Sequence, residues 1–213
     1  MPTIVLQTRM NNFKKNEQQK FWEGDFGDAY IRRNSQSNRI FTIGKNLLKN
    51  KILLNDALEL GANIGLNLDA IKKIYPNAKT YGVEINKSAY NVGKKNHNYY
   101  HKPILIFESK KKYDLVFCSG VLIHQNPKDL NNFYKKIYTL SKKYIYISEY
   151  FNPTPVMIEY RNNKDKLFKR DFAKELWEKY PKLKLLDYGF HWKEDPMLKN
   201  ISDNSNWFLF QKD

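Results

Sequence analysis

The sequence predicts an α/β fold built on a doubly wound, mostly parallel sheet. Three observations lead there. From residue 56 onward, short β-branched and aromatic runs alternate with amphipathic helical stretches. The first run, "DALEL", carries an acid, Glu59, near its end and leads into a turn holding Gly61 and Gly65. After residue 150 the rhythm changes, and the last two apolar runs follow each other without a full helix between them, which predicts an antiparallel ending.

Each element has its own justification. Residues 17–50 read as helical turns carrying "FWEGDFGDAYIRRN". "DALEL" is the first strand. "NIGLNLDAIKKIY" is a helix, with Ile64, Leu68, Ile71 and Ile74 near helical spacing. "AKTYGVEI" is the second strand and "KSAYNVGKKNH" the next helix. "PILIFES" reads as the third strand and "YDLVFCSG" as the fourth. "NPKDLNNFYKKIYTL" is a helix with Asn126 as N-cap and Pro127 at its first position, burying Leu130, Phe133, Ile137 and Leu140. "KYIYISEY" is the fifth strand. A loop-rich stretch then leads to the helix "RDFAKELWEKY", and "LKLLDYGF" and "NWFLFQK" close the sheet.

The 213 residues suit one sizeable domain, and 41% hydrophobic residues can fill its core. No apolar run reaches the roughly 20 residues of a membrane span. The first residues lack the apolar segment of a secretion signal, and the lone cysteine, Cys118, rules out an intrachain disulfide or a cysteine metal cluster. A soluble, cytoplasmic protein without a metal site is expected. The net charge of +15 points towards nucleic acid or an acidic substrate, but the lysines come in scattered pairs such as Lys72-Lys73 and Lys135-Lys136. That dispersion fits solvated helix faces better than a groove.

The glycine turn narrows the ligand. Aligned with the dinucleotide fingerprint G-x-G-x-x-G, Gly61 is followed by Asn63 where the second glycine should be and by Leu66 in place of the third. The second glycine normally lets the backbone approach a pyrophosphate, so a ligand without one fits better. Glu84 ends the second strand about 20 residues beyond Gly65, the spacing of an acid that binds ribose hydroxyls.

The pattern E-x-G-x-N-x-G over residues 59–65 resembles the first motif of class I S-adenosylmethionine-dependent methyltransferases. "FWEGDFGDAYIRRN" (21–34), "ELGANIGLNLDAI" (59–71), "YDLVFCSGVLIHQNP" (113–127), "EYFNPTPVMIEYR" (149–161) and "LFKRDFAKELWEKYPKLKLLDYGF" (167–190), with the "NWFLF" ending, together resemble a narrower group, the pseudaminic acid biosynthesis-associated methyltransferases. The resemblance implies a Rossmann-like sheet of seven strands with a terminal antiparallel strand, and one domain: a helical lid over 1–50, a cofactor half over 51–150 and a substrate half over 151–213. It implies S-adenosyl-L-methionine as cofactor, held by Glu59, Gly61, Asn63, Gly65 and Glu84. Ser109 would meet adenine, and the Ser119–Gly120 backbone would lie near the methionine. It also implies a small acceptor, an anionic nonulosonic sugar or sugar nucleotide.

Other residues are candidates with an alternative beside each. Tyr30 would pack on the cofactor and Arg33 would pair with its carboxylate, unless the N-terminal aromatics only dock a helix. His124, after the fourth strand, is a candidate base or a structural histidine. Tyr150, Tyr160, Arg161, Arg170 and His191 would line the acceptor pocket, the arginines forking onto an anion, or else form surface ion pairs and an ordinary loop. Two rival functions stand beside the first. One is a tRNA or DNA methyltransferase, which the charge favours but the absence of an N-P-P-Y type motif after the fourth strand opposes. The other is a cofactor-binding protein without turnover.

Overall fold

The computed structural model describes residues 14–34, 39–198 and 203–213. Residues 1–13 and 35–38 of the expected N-terminal lid lie outside the described residues. Nine strands and seven α-helices are described: α1 (Glu17–Glu23), α2 (Asp25–Arg33), α3 (Ile43–Lys49), β1 (Asp56–Leu60), α4 (Leu66–Ile74), β2 (Lys79–Glu84), α5 (Lys87–Gly93), β3 (Asn98–His101), β4 (Tyr113–Ser119), α6 (Leu130–Leu140), β5 (Ser141–Glu149), β6 (Val156–Tyr160), β7 (Asn163–Lys169), α7 (Phe172–Lys179), β8 (Lys184–His191) and β9 (Ser205–Gln211).

Seven strands form one sheet in the order β3-β2-β1-β4-β5-β9-β8. All pairs up to β5 are parallel, and β9 runs antiparallel to both β5 and β8. The order reverses between β1 and β4, so the switch point of the sheet lies at their C-terminal ends, where a doubly wound fold opens a crevice.

Side-chain alternation on the central strands feeds two cores. Val116 of β4 and Ile145 of β5 face Phe133 and Ile137 of α6 and Leu176 of α7. Leu115 and Phe117 face the opposite way, with Leu47 of α3 and Leu68 and Ile71 of α4. The stripe expected on α6 is buried: Leu130, Phe133, Ile137 and Leu140 are all at most 4% exposed. Asn126 caps the turn ahead of α6, its side chain accepting from Lys128 N, and a short 3-10 turn over Pro127–Asp129 precedes the helix proper. Among the described residues no helix is long and apolar enough to cross a membrane.

Two expectations are corrected. The third strand is not "PILIFES" but Asn98–His101, paired with Tyr81–Glu84 of β2. Pro103 has no N–H to give a ladder, and Ile104–Ile106 coil into a 3-10 turn. The preceding helix correspondingly ends at Gly93, beneath the ring of Tyr99, where a Cβ would lie 2.3 Å from Tyr99 Cζ. The stretch after residue 150 is not all loop. β6 and β7 form a hairpin whose two-residue turn, Arg161-Asn162, has φ of +49° and +62°. Positive φ at both positions is the primed turn that matches strand twist. Arg-Asn lacks the usual glycine, so the turn signal was weak.

Candidate functional site

The C-terminal ends of β1, β2 and β4 open into a cleft of about 1070 Å³, its open mouth included, roofed by α1 and α2. Its floor is the loop from Gly61 to Gly65. Gly61, Asn63 and Gly65 have φ of +77°, +47° and +94°. A Cβ on Gly61 would sit 2.7 Å from Val121 Cγ2, and one on Gly65 would sit 2.9 Å from Tyr99 Oη. Both the backbone twist and the lack of room therefore demand glycine there. Asn63 tolerates its left-handed conformation because its own Oδ1 accepts from Ile64 N at 2.7 Å.

Two acids stand on this floor. Glu59 is 1% exposed, and its Oε1 accepts from Asn67 Nδ2 at 2.6 Å. Its Oε2 is shut from solvent and meets no hydrogen-bond partner among the described residues. Burial raises its pKa to about 8, against the pull of Asn67 and of Arg39. Glu84 is differently placed. Its Oε2 accepts from Asn63 N at 2.8 Å and its Oε1 from Asn86 N at 2.7 Å. Burial raises its pKa too, and those backbone donors oppose the rise.

Above the acids, Asn86 ties the roof down. It caps α5 through Oδ1, and its Nδ2 donates to Asp28 Oδ1 at 3.0 Å and lies near the carbonyls of Trp22 and Glu23. Trp22 stands against His124 at 4.6 Å between ring centroids and against Tyr30 at 5.2 Å. His124 is buried and donates from Nδ1 to the Lys166 carbonyl at 2.6 Å, a pairing that leaves Nε2 as the acceptor nitrogen. Burial lowers its pKa to about 4, so it is neutral at pH 7.

Of the residues singled out from sequence, Tyr30, Glu59, Gly61, Asn63, Glu84, Ser119, Gly120 and His124 line this cleft. Gly65 lies just beneath it as the N-cap of α4. The others do not reach it. Arg33 is exposed and stacks on Phe26, its guanidinium carbon 5.1 Å from the ring centroid. Ser109 accepts from Lys111 N beyond the displaced third strand, and Pro103 and Ile104 take its expected place at the cleft. Arg170 pairs with Glu175 at 2.6 Å, beside Tyr150 in a separate small pocket. Arg161 occupies the hairpin turn. Tyr160 packs behind the wall, 5.0 Å from the His124 ring. His191 is buried at the end of β8, with Nε2 3.2 Å from Asn46 Nδ2, and burial lowers its pKa to about 4. It serves packing.

Sequence reasoning missed Arg39, which lines the cleft and whose Nε is shut from solvent without a hydrogen-bond partner among the described residues. It follows no motif, and only folding brings it to the acids 20 or more residues later. Asn67 was also missed, although its place in the first turn of α4, two residues past Gly65, was a usable signal. Among the described residues no group of His, Cys, Asp or Glu is arranged to hold a metal ion.

No protein-family model and no curated protein matches the chain. Solved structures do. The magnesium protoporphyrin IX methyltransferase of Synechocystis PCC 6803, solved with S-adenosylmethionine bound, superposes with a TM-score of 0.66 at 12% identity, covering 95% of this chain and 100% of its own. A S-adenosylmethionine-dependent methyltransferase from Archaeoglobus fulgidus gives 0.63 at 15% identity, covering 88% and 100%. The plantazolicin methyltransferase, solved with S-adenosylhomocysteine, gives 0.63 at 14%, covering 92% and 94%. The chain has the class I methyltransferase fold.

Proposed function

We propose that this chain is an S-adenosylmethionine-dependent methyltransferase acting on a small acceptor. The observation that carries the reading is a pair of buried carboxylates, Glu59 and Glu84, at the tips of adjacent parallel strands beside a left-handed glycine loop. The residues present fit the cofactor. Glu59 Oε2 is an orphaned buried acceptor suited to an ammonium group, and Arg39 Nε is an orphaned buried donor suited to a carboxylate. Glu84 keeps lone pairs for ribose hydroxyls. A Cβ on Gly120 would meet nothing within 4 Å, so the backbone there borders open cleft. Pro103 and Ile104 offer an apolar edge for adenine.

Bound there, S-adenosylmethionine would supply a methyl group already activated on a sulfonium. The chain's own task is alignment and exclusion of water. We assign Trp22 and Tyr30, on the helices we take as a lid, to the second. Neutral His124 holds the acceptor through Nε2. With a pKa of about 4 it is a weak base, so we give it an orienting role before a proton-accepting one.

For the acceptor we favour an anionic nonulosonic sugar or sugar nucleotide. Support comes from the sequence resemblance; Arg161, Lys164 and Lys166 lie on the β6–β7 hairpin, outside the cleft lining. The net charge of +15 favours a second reading, a nucleic acid acceptor. The deciding experiment supplies S-adenosylmethionine with nonulosonic acids, their nucleotides and tRNA, and measures S-adenosylhomocysteine formed. Turnover with a sugar and none with RNA supports the first reading, and the reverse result promotes the second. Binding of NAD without binding of S-adenosylhomocysteine would remove both.

A further inference from the structure

We propose that Glu149, which lies outside the cleft, is a positioning residue that sets the cleft wall running from Ser119 to His124. The inference rests on the methyltransferase reading but concerns a residue that reading does not use. Glu149 is the last residue of β5 and is 4% exposed. Its Oε1 accepts from Val121 N at 3.0 Å and Leu122 N at 3.1 Å, and its Oε2 accepts from Ile123 N at 3.3 Å. The Cys118 thiol is a further hydrogen-bond partner.

These N–H groups belong to a segment with no ladder to satisfy them. β4 ends at Ser119, and the chain turns through Gly120, φ +65°, into a 3-10 turn over Leu122–His124. Buried N–H groups must be paired, and here one carboxylate pairs three in succession. The same β5 end takes Gly120 N onto Ser148 O at 2.9 Å. The segment so fixed presents Ser119, Gly120, Val121 and His124 to the cleft. Val121 also fills the space that forces glycine at position 61. Glu149 therefore fixes the separation between the glycine loop and the opposite wall, the gap that a cofactor's methionine end must fit. Three converging donors explain why a carboxylate is tolerated in this core, since two apolar faces would otherwise suit the position.

The test is Glu149→Gln. The amide keeps the shape, and its oxygen can still accept from Val121 and Leu122, but its NH2 faces the Ile123 N–H. Calorimetry with S-adenosylhomocysteine and amide exchange of residues 121–123 are measured together. Asp114→Asn is the matched control: another buried carboxylate accepting a backbone N–H, from Asn55 at 2.8 Å, at the far end of the sheet. We expect Glu149→Gln to weaken product binding roughly tenfold, the loss of one hydrogen bond to a buried backbone donor, with faster exchange at 121–123. Asp114→Asn should lower the melting temperature and leave affinity unchanged. If Glu149→Gln does not fold, Glu149→Asp, which withdraws the carboxyl group by one methylene, takes its place with the same expectation. A folded variant that binds product as tightly as the unaltered protein overturns the proposal alone. Absence of product binding by the unaltered protein overturns the methyltransferase reading and this proposal with it.

Discussion

Asn63 donates its backbone N–H to Glu84 Oε2 at 2.8 Å, so the acid at the tip of β2 clamps the glycine loop as well as lining the cleft. Substituting it thus disturbs two things at once. Glu84→Gln should weaken S-adenosylhomocysteine binding by about 1–3 kcal/mol, the range for a charged hydrogen-bond partner, and should also loosen the loop. Calorimetry beside amide exchange at Asn63 checks both. Unchanged affinity with faster exchange would leave Glu84 a loop anchor only.

Glu59 gives a proton signature. Burial raises its pKa from 4.5 to about 8, so it is largely protonated in the free protein at pH 7. A raised folded-state pKa contributes stability fully present below 4.5 and lost as pH rises through about 8. A ligand ammonium favours the carboxylate and reverses that shift. Product binding at pH 7 should therefore release a proton, read from the dependence of binding enthalpy on buffer ionisation, and affinity should rise as pH climbs towards about 8. No proton release would place the ammonium elsewhere.

The two arginines offer a direct comparison. Arg39 lines the cleft with a buried, unpartnered Nε, whereas Arg33 is exposed on the rings of Phe26 and Tyr30. Arg39→Gln should weaken product binding by roughly tenfold or more. Arg33→Gln should change it little. The opposite ranking would restore Arg33 as the carboxylate partner.

Acid should destabilise the fold through its buried histidines. The pKa of His124 is depressed from 6.5 to about 4 by burial, and that of His191 likewise. A depressed folded-state pKa gives stability present above 6.5 and lost as pH falls through about 4. For His124 the loss is on the order of 3 kcal/mol. Melting temperatures followed across that window should fall, and His124→Gln should flatten the decline. An unchanged slope would mean His124 is hydrated rather than buried neutral.

The central part of the fold was legible because its signals are local. Strand–helix alternation, the stripe on α6 and the Asn126 cap are each written in a few adjacent residues. The cleft-lining positions of Glu59, Gly61 and Glu84 were legible because the glycine loop is contiguous with the strands that carry the acids. The errors lie where local signals compete. "PILIFES" has the β-branched composition of a strand, but Pro103 and the pairing of Tyr99 and Tyr100 with β2 shift the strand upstream. The β6–β7 turn hides behind an Arg-Asn pair.

By itself, then, the sequence determined the strand–helix alternation around the central strands and the two acids at adjacent strand tips, since both follow from spacing along the chain. Which polar residues meet across that chain was a tertiary decision. Arg39 rather than Arg33 reaches the cleft because a 3-10 turn over Arg39–Phe41 delivers it there, while Arg33 stays on the outer face of α2. Arg170 is taken by Glu175 and His191 by Asn46, partners supplied by packing. Glu149 satisfies three backbone donors of a segment 26 to 28 residues earlier. Burial then sets the charge of each group, because desolvation depends on the neighbours that folding brings and not on the residues beside it in sequence.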